Sequence, residues 1–372
     1  MDETVRRVAA FIDECREGRL PDEAAFDALA LEVFAFQLEQ VPLYGRLCEI
    51  RGVGPRTPRH WWEIPAAPAD LFKEDLTGPA TAGGAVFLSS GTSLGNTRRS
   101  RHAVGPESLD LYRRSSMSHF QAMVLPDRPG AMSTLVLGPT SLTHPASSLG
   151  HMYGWAVESF AADGTATCVF DADGALDVDA AVAWLEEAAA GTAPVLLLAL
   201  TSTLTAVFEA LRTRKLALRL PADSRLVDTG GSKGGRTFSR NGILKAAWRF
   251  LHIPAYNCMG EYGMTELLSQ FYDNALHSRW SGLLDPRVKL GPAWVRTVAV
   301  DPTTLAPLAK GERGILRHFD LANCESVSAV QTLDVGAATG EGGGFEVFGR
   351  AAESEARGCS QLLSMVSAGE HP

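Results

Sequence analysis

The chain has 372 residues, of which 45% are hydrophobic and 21% are charged, and its formal net charge is -9 with a pI of about 5.5. This composition is typical of a globular protein, and the acidic balance argues against a general nucleic-acid binder, which needs a basic face. No apolar run approaches the roughly 18 residues that a membrane span requires. The polar, acidic start at residues 1–4 does not resemble a signal peptide. We therefore expect a cytoplasmic protein with one large domain or two ordinary ones.

The cysteines and histidines form none of the common short catalytic or zinc-binding motifs. No CxxC pair, HxH or HExxH occurs, which argues against a zinc knuckle or a metal hydrolase. The six cysteines are Cys15, Cys48, Cys168, Cys258, Cys324 and Cys359. Without a secretion signal we expect them to be reduced, so a single cysteine remains available as a nucleophile.

The first part of the chain is predicted to be helical and then irregular. Two apolar stripes within 3–40 indicate two helices, separated by Gly18 and Pro21. Five prolines then favour an extended stretch that ends near Phe72-Lys73. A short apolar strand at 85–88 leads directly into a loop rich in Ser, Gly and Thr.

From about 104 to 230 the sequence alternates between helical and strand patterns. The predicted helices are 108–124, 147–161, 177–190 and 203–214, and the predicted strands are 134–137, 167–170, 195–200 and 226–228. Continuous apolar strands between amphipathic helices indicate an α/β fold whose sheet is covered on both faces. Ligands in such folds bind beyond the carboxyl ends of the strands, where we also place the segment 260–266, after the apolar stretch 251–255.

After about residue 285 the pattern changes to strands with one polar face. The predicted strands are 295–300, 315–319, 327–330 and 345–348. We therefore expect an α/β domain over 1–290 and a small β-rich C-terminal subdomain with a tail over 291–372.

The loop 89–99, with the sequence SSGTSLGNTRR, fits a phosphate chain. Its glycines allow close approach of the backbone, its hydroxyls are donors, and Arg98 and Arg99 can neutralise charge. It is not a Walker A motif, since no Gly-Lys-Ser/Thr follows. A surface loop with a basic end is the alternative.

A second glycine-rich loop, 229–236, has the sequence TGGSKGGR and follows a predicted strand. The glycine pairs allow the backbone to pack on a flat group, and Lys233 or Arg236 can reach an anion. An ordinary strand-to-helix turn fits equally well. Asp334, which follows a strand-like run, can accept hydrogen bonds from ribose hydroxyls, although such an Asp is more often a turn former.

The segment Tyr262-Gly263-Met264-Thr265-Glu266 combines an aromatic ring, a flexible glycine, a hydroxyl and a carboxylate. It precedes the apolar pair Leu267-Leu268, so one interpretation is a helix start with Thr265 as N-cap and Glu266 in the first turn. Taken with the loop 89–99, it instead indicates a nucleotide phosphate site with a metal-binding Glu. The two interpretations are compatible, because a helix N-terminus suits a phosphate.

In this order the motifs resemble the adenylate-forming superfamily of acyl and aryl acid ligases, and more closely the LuxE-type acyl-protein synthetases. The similarity covers nearly the whole chain. The segments that carry it are Phe72-Lys73, Ser89 to Gly95, Thr229 to Arg236, Tyr262 to Glu266, Leu268 to Tyr272, Thr332 to Asp334, Gly349-Arg350 and Arg357-Gly358-Cys359-Ser360.

The resemblance implies a fold, two half-reactions and a role for each motif. A carboxylic acid and ATP with Mg²⁺ give an acyl-adenylate and pyrophosphate, and a thiol then takes the acyl group. Thr265 is implied to contact the α-phosphate and Glu266 to bind Mg²⁺, while Cys359, beside Gly358 and Arg357, matches the acyl-carrying cysteine. The remaining implied nucleotide-binding residues are Ser89, Ser90, Gly91, Thr92 and Ser93 for the leaving phosphates, Gly230, Gly231 and Tyr262 for the adenine, Asp334 for the ribose, and Gly263, Met264 and Arg350 beside them.

The sequence departs from the larger ligases at its C-terminal end. The resemblance implies a C-terminal lid domain of about a hundred residues with a catalytic lysine, whereas here no lysine follows Lys310. We expect the full lid to be lacking and take Lys233 as the candidate replacement.

Three functions follow from this interpretation. The first is an acyl-protein synthetase that passes the acyl group through Cys359 to a protein, such as a reductase or a carrier. The second is an aryl-acid adenylating enzyme of an antibiotic pathway such as phenazine biosynthesis, in which Cys359 is idle, as a lone cysteine usually is. The third is a non-catalytic nucleotide-binding scaffold.

Overall fold

The structure is a computed structural model, and it describes residues 2–16, 22–74, 76, 83–89, 99–230, 239–339 and 343–351. The α-helices in this part of the chain are α1 (Glu3–Arg16), α2 (Glu23–Gln40), α3 (Pro42–Ile50), α4 (Pro106–Val124), α5 (Ser148–Phe160), α6 (Val178–Ala190), α7 (Thr201–Thr213), α8 (Arg240–Leu251) and α9 (Ala275–Trp280). The strands are β1 (Ala67–Pro68), β2 (Ala85–Leu88), β3 (Arg101–Val104), β4 (Met132–Leu137), β5 (Ala161–Cys168), β6 (Val195–Leu200), β7 (Arg225–Thr229), β8 (Cys258–Tyr262), β9 (Phe271–Asp273), β10 (Lys289–Leu290), β11 (Val295–Val300), β12 (Gly314–Asp320), β13 (Ala329–Ala338) and β14 (Phe345–Arg350).

The predicted α/β class is confirmed, with several local differences. One is strand β13, which spans Ala329–Ala338, where the sequence predicted a strand at 327–330. Residues 42–50 form helix α3 rather than an extended stretch, because Pro42 occupies the first turn, where its missing N–H costs nothing. The apolar stretch 251–255 is not a strand. Helix α8 ends at Leu251, His252 adopts a left-handed conformation with φ 59°, and the strand begins only at Cys258. Strand β5 starts at Ala161, earlier than predicted.

The chain folds as two compact units. Unit 1 comprises Met1–Ser116, Gly263–Phe271 and Val288–Pro372, and unit 2 comprises Met117–Tyr262 and Tyr272–Arg287. The sequence-based division at residue 290 remains a prediction. Among the described residues, no helix is both long and apolar enough to cross a lipid bilayer.

Unit 2 contains a parallel sheet covered by helices. Its strands lie in the order β5-β4-β6-β7-β8, and each neighbouring pair is parallel. Inward-facing residues of α6, α7 and α8 pack with these strands in one apolar core, which includes Leu185, Phe208, Phe250 and Leu197. The carboxyl ends of β6, β7 and β8 therefore meet at one edge, at Leu200, Thr229 and Tyr262.

Unit 1 is built around antiparallel strands. Its strands pair in the order β11-β12-β13-β14-β10, and β1 pairs in parallel with β13. Strands β2 and β3 form a separate two-stranded antiparallel hairpin, with Leu88 opposite Arg101. Helix α2 is anchored to the segment before β13, because the buried Gln37 donates from Nε2 to the carbonyls of Asn323 (3.0 Å) and Cys324 (3.2 Å).

Candidate active site

The segment Tyr262–Glu266 runs from a strand into a turn, not into a helix. Strand β8 ends at Tyr262. A backbone hydrogen bond from Leu267 N to the Met264 carbonyl oxygen (3.2 Å) then closes a turn. The chain then continues in irregular conformation to β9 at Phe271. The predicted helix cap at Thr265 is therefore wrong, and any phosphate site here rests on the turn rather than on a helix N-terminus.

A fully buried histidine holds the carbonyl of Thr265. Nδ1 of His102, in strand β3, lies 2.9 Å from that carbonyl oxygen, and its Nε2 lies 3.0 Å from Ser326 Oγ. Burial lowers the pKa of His102 to about 4, so the ring is neutral at physiological pH. We assign the ring proton to Nδ1, because a carbonyl oxygen only accepts, and Ser326 then donates to Nε2.

The carboxyl group of Glu266 is buried, with 6% of the residue exposed. Desolvation raises its pKa, while a hydrogen bond from the Ser100 side chain and the positive charge of Arg350 oppose that rise. The carboxylate of Asp70 adds to the rise. Asn323 Nδ2 donates to the Glu266 backbone carbonyl at 2.7 Å. Asp70 is itself paired with Lys73, whose Nζ lies 2.5 Å from Asp70 Oδ1, and the metal-binding role of Glu266 stays a prediction.

The stretch after Glu266 is fixed by Asp320 at the end of β12. The Asp320 carboxylate accepts hydrogen bonds from Leu268 N (3.1 Å), Ser269 Oγ (2.8 Å) and Ala322 N (3.0 Å). Burial nevertheless raises its pKa to about 6, because these donors only partly offset the loss of hydration. Asp320 thus holds the irregular segment after Glu266 in place through hydrogen bonds to Leu268 and Ser269.

Asp320 makes the stability of the fold depend on pH in a definite window. The folded pKa of about 6 lies above the ordinary 3.8, so the folded state binds more protons than the unfolded state between these values. The free energy of unfolding of the native protein, relative to that of Asp320→Asn, is expected to fall by up to about 3 kcal/mol as the pH rises from 4 through 6, and to level off about one pH unit above 6. Urea unfolding of both proteins across pH 4–8 measures this difference.

Asp301 provides a control of opposite sign for this measurement. Backbone N–H donors of Thr304 and Thr303 lower the pKa of the exposed Asp301 carboxyl. The same comparison with Asp301→Asn is expected to show stability that is lost as the pH falls. A difference between native protein and Asp320→Asn that does not change between pH 4 and 6 would contradict the assignment for Asp320.

Asp334 and Arg350 lie opposite one another on neighbouring strands. Asp334 of β13 pairs with Arg350 of β14, and Asp334 N donates to Thr332 Oγ1 at 3.0 Å. Because Arg350 also acts electrostatically on Glu266, unit 1 brings three of the predicted residues into one region. Asp334 lies within a strand, so its alternative interpretation as a turn former is wrong.

The candidate phosphate loop joins the two strands of the β2–β3 hairpin. At its base Ser89 N donates to the Ser100 carbonyl (3.0 Å) and Ser100 N donates to Ser89 Oγ (2.9 Å), and Arg99 Nε donates to the Ser89 carbonyl. The remaining predicted residues of this loop, Ser90, Gly91, Thr92 and Ser93, lie outside the described residues. The hydrogen bonds between Ser89 and Ser100 therefore fix the two ends of the candidate phosphate loop next to each other.

In unit 2 the carboxyl edge of the sheet carries Gly230, directly after β7. Its φ is +100°, which favours glycine, and Thr201 Oγ1 lies 2.9 Å from its carbonyl oxygen. Beside it, Thr229 Oγ1 donates to the buried carboxylate of Glu261 in β8. Gly231 and Lys233, which follow Gly230, lie outside the described residues. Tyr262 is half-buried at the end of the neighbouring strand, so Gly230 and Tyr262 share this edge.

The buried cysteines are poor nucleophiles. Burial raises the pKa of Cys258 to about 12, and the same cause raises the pKa of Cys324. Cys168 is exposed. Cys359, the candidate acyl carrier, lies outside the described residues.

Several residues of this region were not predicted from the sequence. His102, Asp320, Asn323 and Glu261 carry no local motif, since their partners lie 32 to 163 residues away along the chain. Within the described residues, no group of three or more His, Cys, Asp or Glu side chains is arranged to hold a metal ion.

The fold is that of the adenylate-forming ligases. A crystal structure of 2-hydroxyisobutyryl-CoA ligase in the postadenylation state, in complex with 2-HIB-AMP, matches with a TM-score of 0.64 and 15% identity over 90% of this chain and 68% of that one. An open conformation of the same ligase, with 2-HIB-AMP and CoA, matches with a TM-score of 0.62 and 14% identity over 88% of this chain and 70% of that one. At this identity the likeness establishes the fold alone.

The chain belongs to the LuxE acyl-protein synthetase family. The match to the family described as "Acyl-protein synthetase, LuxE" extends over residues 21–367. A comparison with curated proteins found no match. Membership of this family supports adenylation of an acid followed by transfer of the acyl group.

Proposed function

We propose that the protein activates a carboxylic acid with ATP and transfers the acyl group to a thiol. The observation that carries this proposal is the family match over nearly the whole chain, which includes the buried Glu266 beside Thr265. In the first step a carboxylate oxygen of the acid attacks the α-phosphorus of ATP, and the bond to pyrophosphate breaks. In the second a thiolate attacks the acyl carbon, the thioester forms, and AMP leaves.

Residues of unit 1 would handle the phosphates and ribose. The proposal assigns the α-phosphate to Thr265, whose backbone is held by His102, the leaving phosphates to Ser89–Ser93, and the ribose to Asp334 beside Arg350. Glu266 would hold Mg²⁺, which when bound neutralises charge on the phosphate oxygens. Gly263 and Met264 would let the turn pass close to the nucleotide.

Residues at the carboxyl edge of the unit 2 sheet would bind the adenine. Gly230 is exposed and carries no side chain, and Tyr262 is half-buried at the end of β8. With Gly231, they are assigned to the two faces of the base. The carboxyl edge of a parallel sheet is where ligands bind in this class of fold, which supports the assignment.

Acid-dependent exchange of pyrophosphate into ATP, over a panel of fatty and aryl acids, tests the adenylation step. We expect exchange with one of the two acid classes. Exchange with aryl acids alone would favour the biosynthetic aryl-acid enzyme. Absence of exchange with every acid, together with calorimetry that detects no binding of ATP with Mg²⁺, would contradict adenylation and favour a scaffold.

Lys233 is proposed to replace the lysine that larger ligases carry in their lid domain. It belongs to the glycine-rich sequence 229–236 that begins at the end of β7, and its ammonium group would pair with a phosphate. Replacing Lys233 with Met is expected to reduce pyrophosphate exchange by about 100-fold, as loss of one charge-stabilising donor does. Lys245→Met in the neighbouring helix is the matched control, and an unchanged rate in Lys233→Met would remove this residue from the mechanism.

Cys359 is proposed to carry the acyl group as a thioester before it passes to a reductase or a carrier protein. Intact-mass spectrometry after incubation with ATP, Mg²⁺ and the active acid should show the acyl adduct on the native protein. Cys359→Ser should lose the thioester while pyrophosphate exchange continues, and Cys168→Ser, at an exposed thiol, should retain it. Retention of the thioester in Cys359→Ser would contradict the assignment.

A further inference from the structure

Charge is divided unevenly along the sequence of unit 2. Between Arg128 and Arg212 there is no Lys or Arg, whereas nine Asp and Glu residues occur there. Helix α8 has the opposite bias, with Arg240, Lys245 and Arg249 and no carboxylate. Acidic and basic surfaces are therefore carried by different helices of the same unit.

These helices lie side by side on one face of the sheet. Residues of α6, α7 and α8 share a single apolar core with β4, β6 and β7. The rings of Phe208 in α7 and Phe250 in α8 stack at 6.0 Å, and Arg214, just after α7, pairs with Asp179 in α6. Helix α7 therefore occupies the middle of a three-helix layer, with the acidic α6 on one side and the basic α8 on the other.

The outward faces of α6 and α8 carry stripes with the same spacing. Each stripe has exposed residues at i, i+4, i+7, i+8 and i+11, which is one face of a helix. The stripe of α6 consists of Asp179, Ala183, Glu186, Glu187 and Ala190, and that of α8, with its cap, consists of Asn241, Lys245, Trp248, Arg249 and His252. On α7 between them, the outward residues Ser202 and Ala206 are small and exposed.

The two stripes are available for contacts outside the molecule. Trp248 is 53% exposed, which is unusual for an aromatic side chain of this size. Within the part of the chain that the structure describes, Lys245, Arg249, Glu186 and Glu187 form no ion pair. A tryptophan flanked by cations is the composition of an interface hot spot.

We propose that this helix layer is a self-association surface, through which two copies of the chain form a symmetric dimer. A two-fold axis parallel to α7 places α6 of each copy over α8 of the other, so that the acidic and basic stripes meet twice. The small residues Ser202 and Ala206 lie at the axis and permit close approach of the two α7 helices. Trp248 packs on the exposed alanines of the opposing α6. The inference does not depend on the proposed activity.

A second copy is the best occupant because both complementary stripes are present on one layer with matched spacing. A foreign acidic protein would explain α8 but would leave Glu186 and Glu187 of α6 unused, since among the described residues only Asp179 of that stripe has an ion-pair partner, Arg214. The size is also adequate. Three helices, each about 20 Å long and spaced about 10 Å apart, give a footprint of roughly 600 Å² on each copy, the lower range for a specific interface. Self-complementary two-fold contacts are the commonest arrangement of identical chains.

Sedimentation equilibrium of the full chain at low and high salt tests the dimer. At 50 mM NaCl we expect a dimer at micromolar concentration, and at 500 mM NaCl we expect weaker association, because exposed charges are screened. A chain that is monomeric at both salt concentrations would overturn the proposal, even if it bound a polyglutamate probe through α8.

Charge-reversed variants test which surface is used. Lys245→Glu with Arg249→Glu, and separately Glu186→Lys with Glu187→Lys, should each raise the dimer dissociation constant by on the order of 100-fold, since like charges then face one another. An equimolar mixture of the two variants should recover a one-to-one dimer, because both contacts regain opposite charges. Recovery on mixing separates a lost interface from a lost fold.

Arg56→Glu with Arg59→Glu is the matched control, since it changes the net charge as Lys245→Glu with Arg249→Glu does, at exposed positions of unit 1. It should remain dimeric. Trp248→Ala should weaken the dimer without changing the urea midpoint of unfolding. A dimer that persists in both charge-reversed variants would place the interface elsewhere and overturn the proposal.

Discussion

Replacement of Glu266 by Gln is expected to lower acid-dependent pyrophosphate exchange by at least about 100-fold. The change keeps the shape of the side chain and removes the charge that would hold Mg²⁺. Folding should be little affected, because desolvation already raises the pKa of this buried carboxyl group and thus opposes its charged form. Exchange assays and urea unfolding of the same preparation measure the two effects separately.

Glu312→Gln is the matched control for this prediction. Glu312 is exposed in a turn of unit 1, where its carboxylate accepts from Ala309 N at 3.1 Å, and an amide oxygen can take over that role. Its exchange rate should equal that of the native protein. A Glu266→Gln protein that exchanges pyrophosphate at the native rate would remove Glu266 from the metal site.

Replacement of Asp273 by Ala is expected to cost roughly 3–5 kcal/mol of unfolding free energy. Its buried carboxylate oxygen Oδ2 lies 2.8 Å from Arg240 Nη2 and 2.9 Å from Arg287 Nη1, and it accepts from Gly260 N at 2.9 Å. Alanine would leave the Arg287 guanidinium without its carboxylate partner and Gly260 N without its acceptor. Urea unfolding measures the loss, and a variant as stable as the native protein would contradict this role.

Two further substitutions show which part of the Asp273 contact matters. Asp273→Asn keeps an acceptor for Gly260 N but removes the charge, so its loss should be smaller than that of Asp273→Ala. Asp285→Ala, at an exposed position that only accepts from Ser278 Oγ at 3.5 Å, should change stability by less than about 0.5 kcal/mol.

The elements of unit 2 were predictable because local pattern and final environment agree there. The run 195–200 is apolar throughout and becomes the central strand β6, buried on both faces, and the helical stripe of 177–190 faces the core as expected. The position of Gly230 directly after β7 was also predictable, because in the sequence the glycine pair follows an apolar strand pattern.

The turn at 263–270 was mispredicted because distant contacts override its local pattern. Thr265-Glu266-Leu267-Leu268 has the sequence of a helix start. The chain instead gives its N–H and hydroxyl groups to Asp320, and the Gln270 side chain donates to Tyr112 Oη at 3.0 Å. These partners lie 51 to 158 residues away in the sequence, so the local sequence around 263–270 could not predict these contacts. The pairing of Asp334 with Arg350 likewise depended on the register of two strands.

The three-segment construction of unit 1 has a consequence for synthesis on the ribosome. Unit 2 is nearly continuous and is complete at residue 287, whereas unit 1 needs its last segment, 288–372. The rings of Phe26 and Phe319 pack edge to face at 5.9 Å, and Gln37 bonds to carbonyls about 286 residues away. Helix α2 therefore emerges early and can pack against α1 and α3, but its contacts with β12 and with the segment before β13 form only after residues 288–372 begin to be made. These contacts of an early translated helix are among the last that can form, so part of its apolar surface stays exposed while the rest of the chain is made.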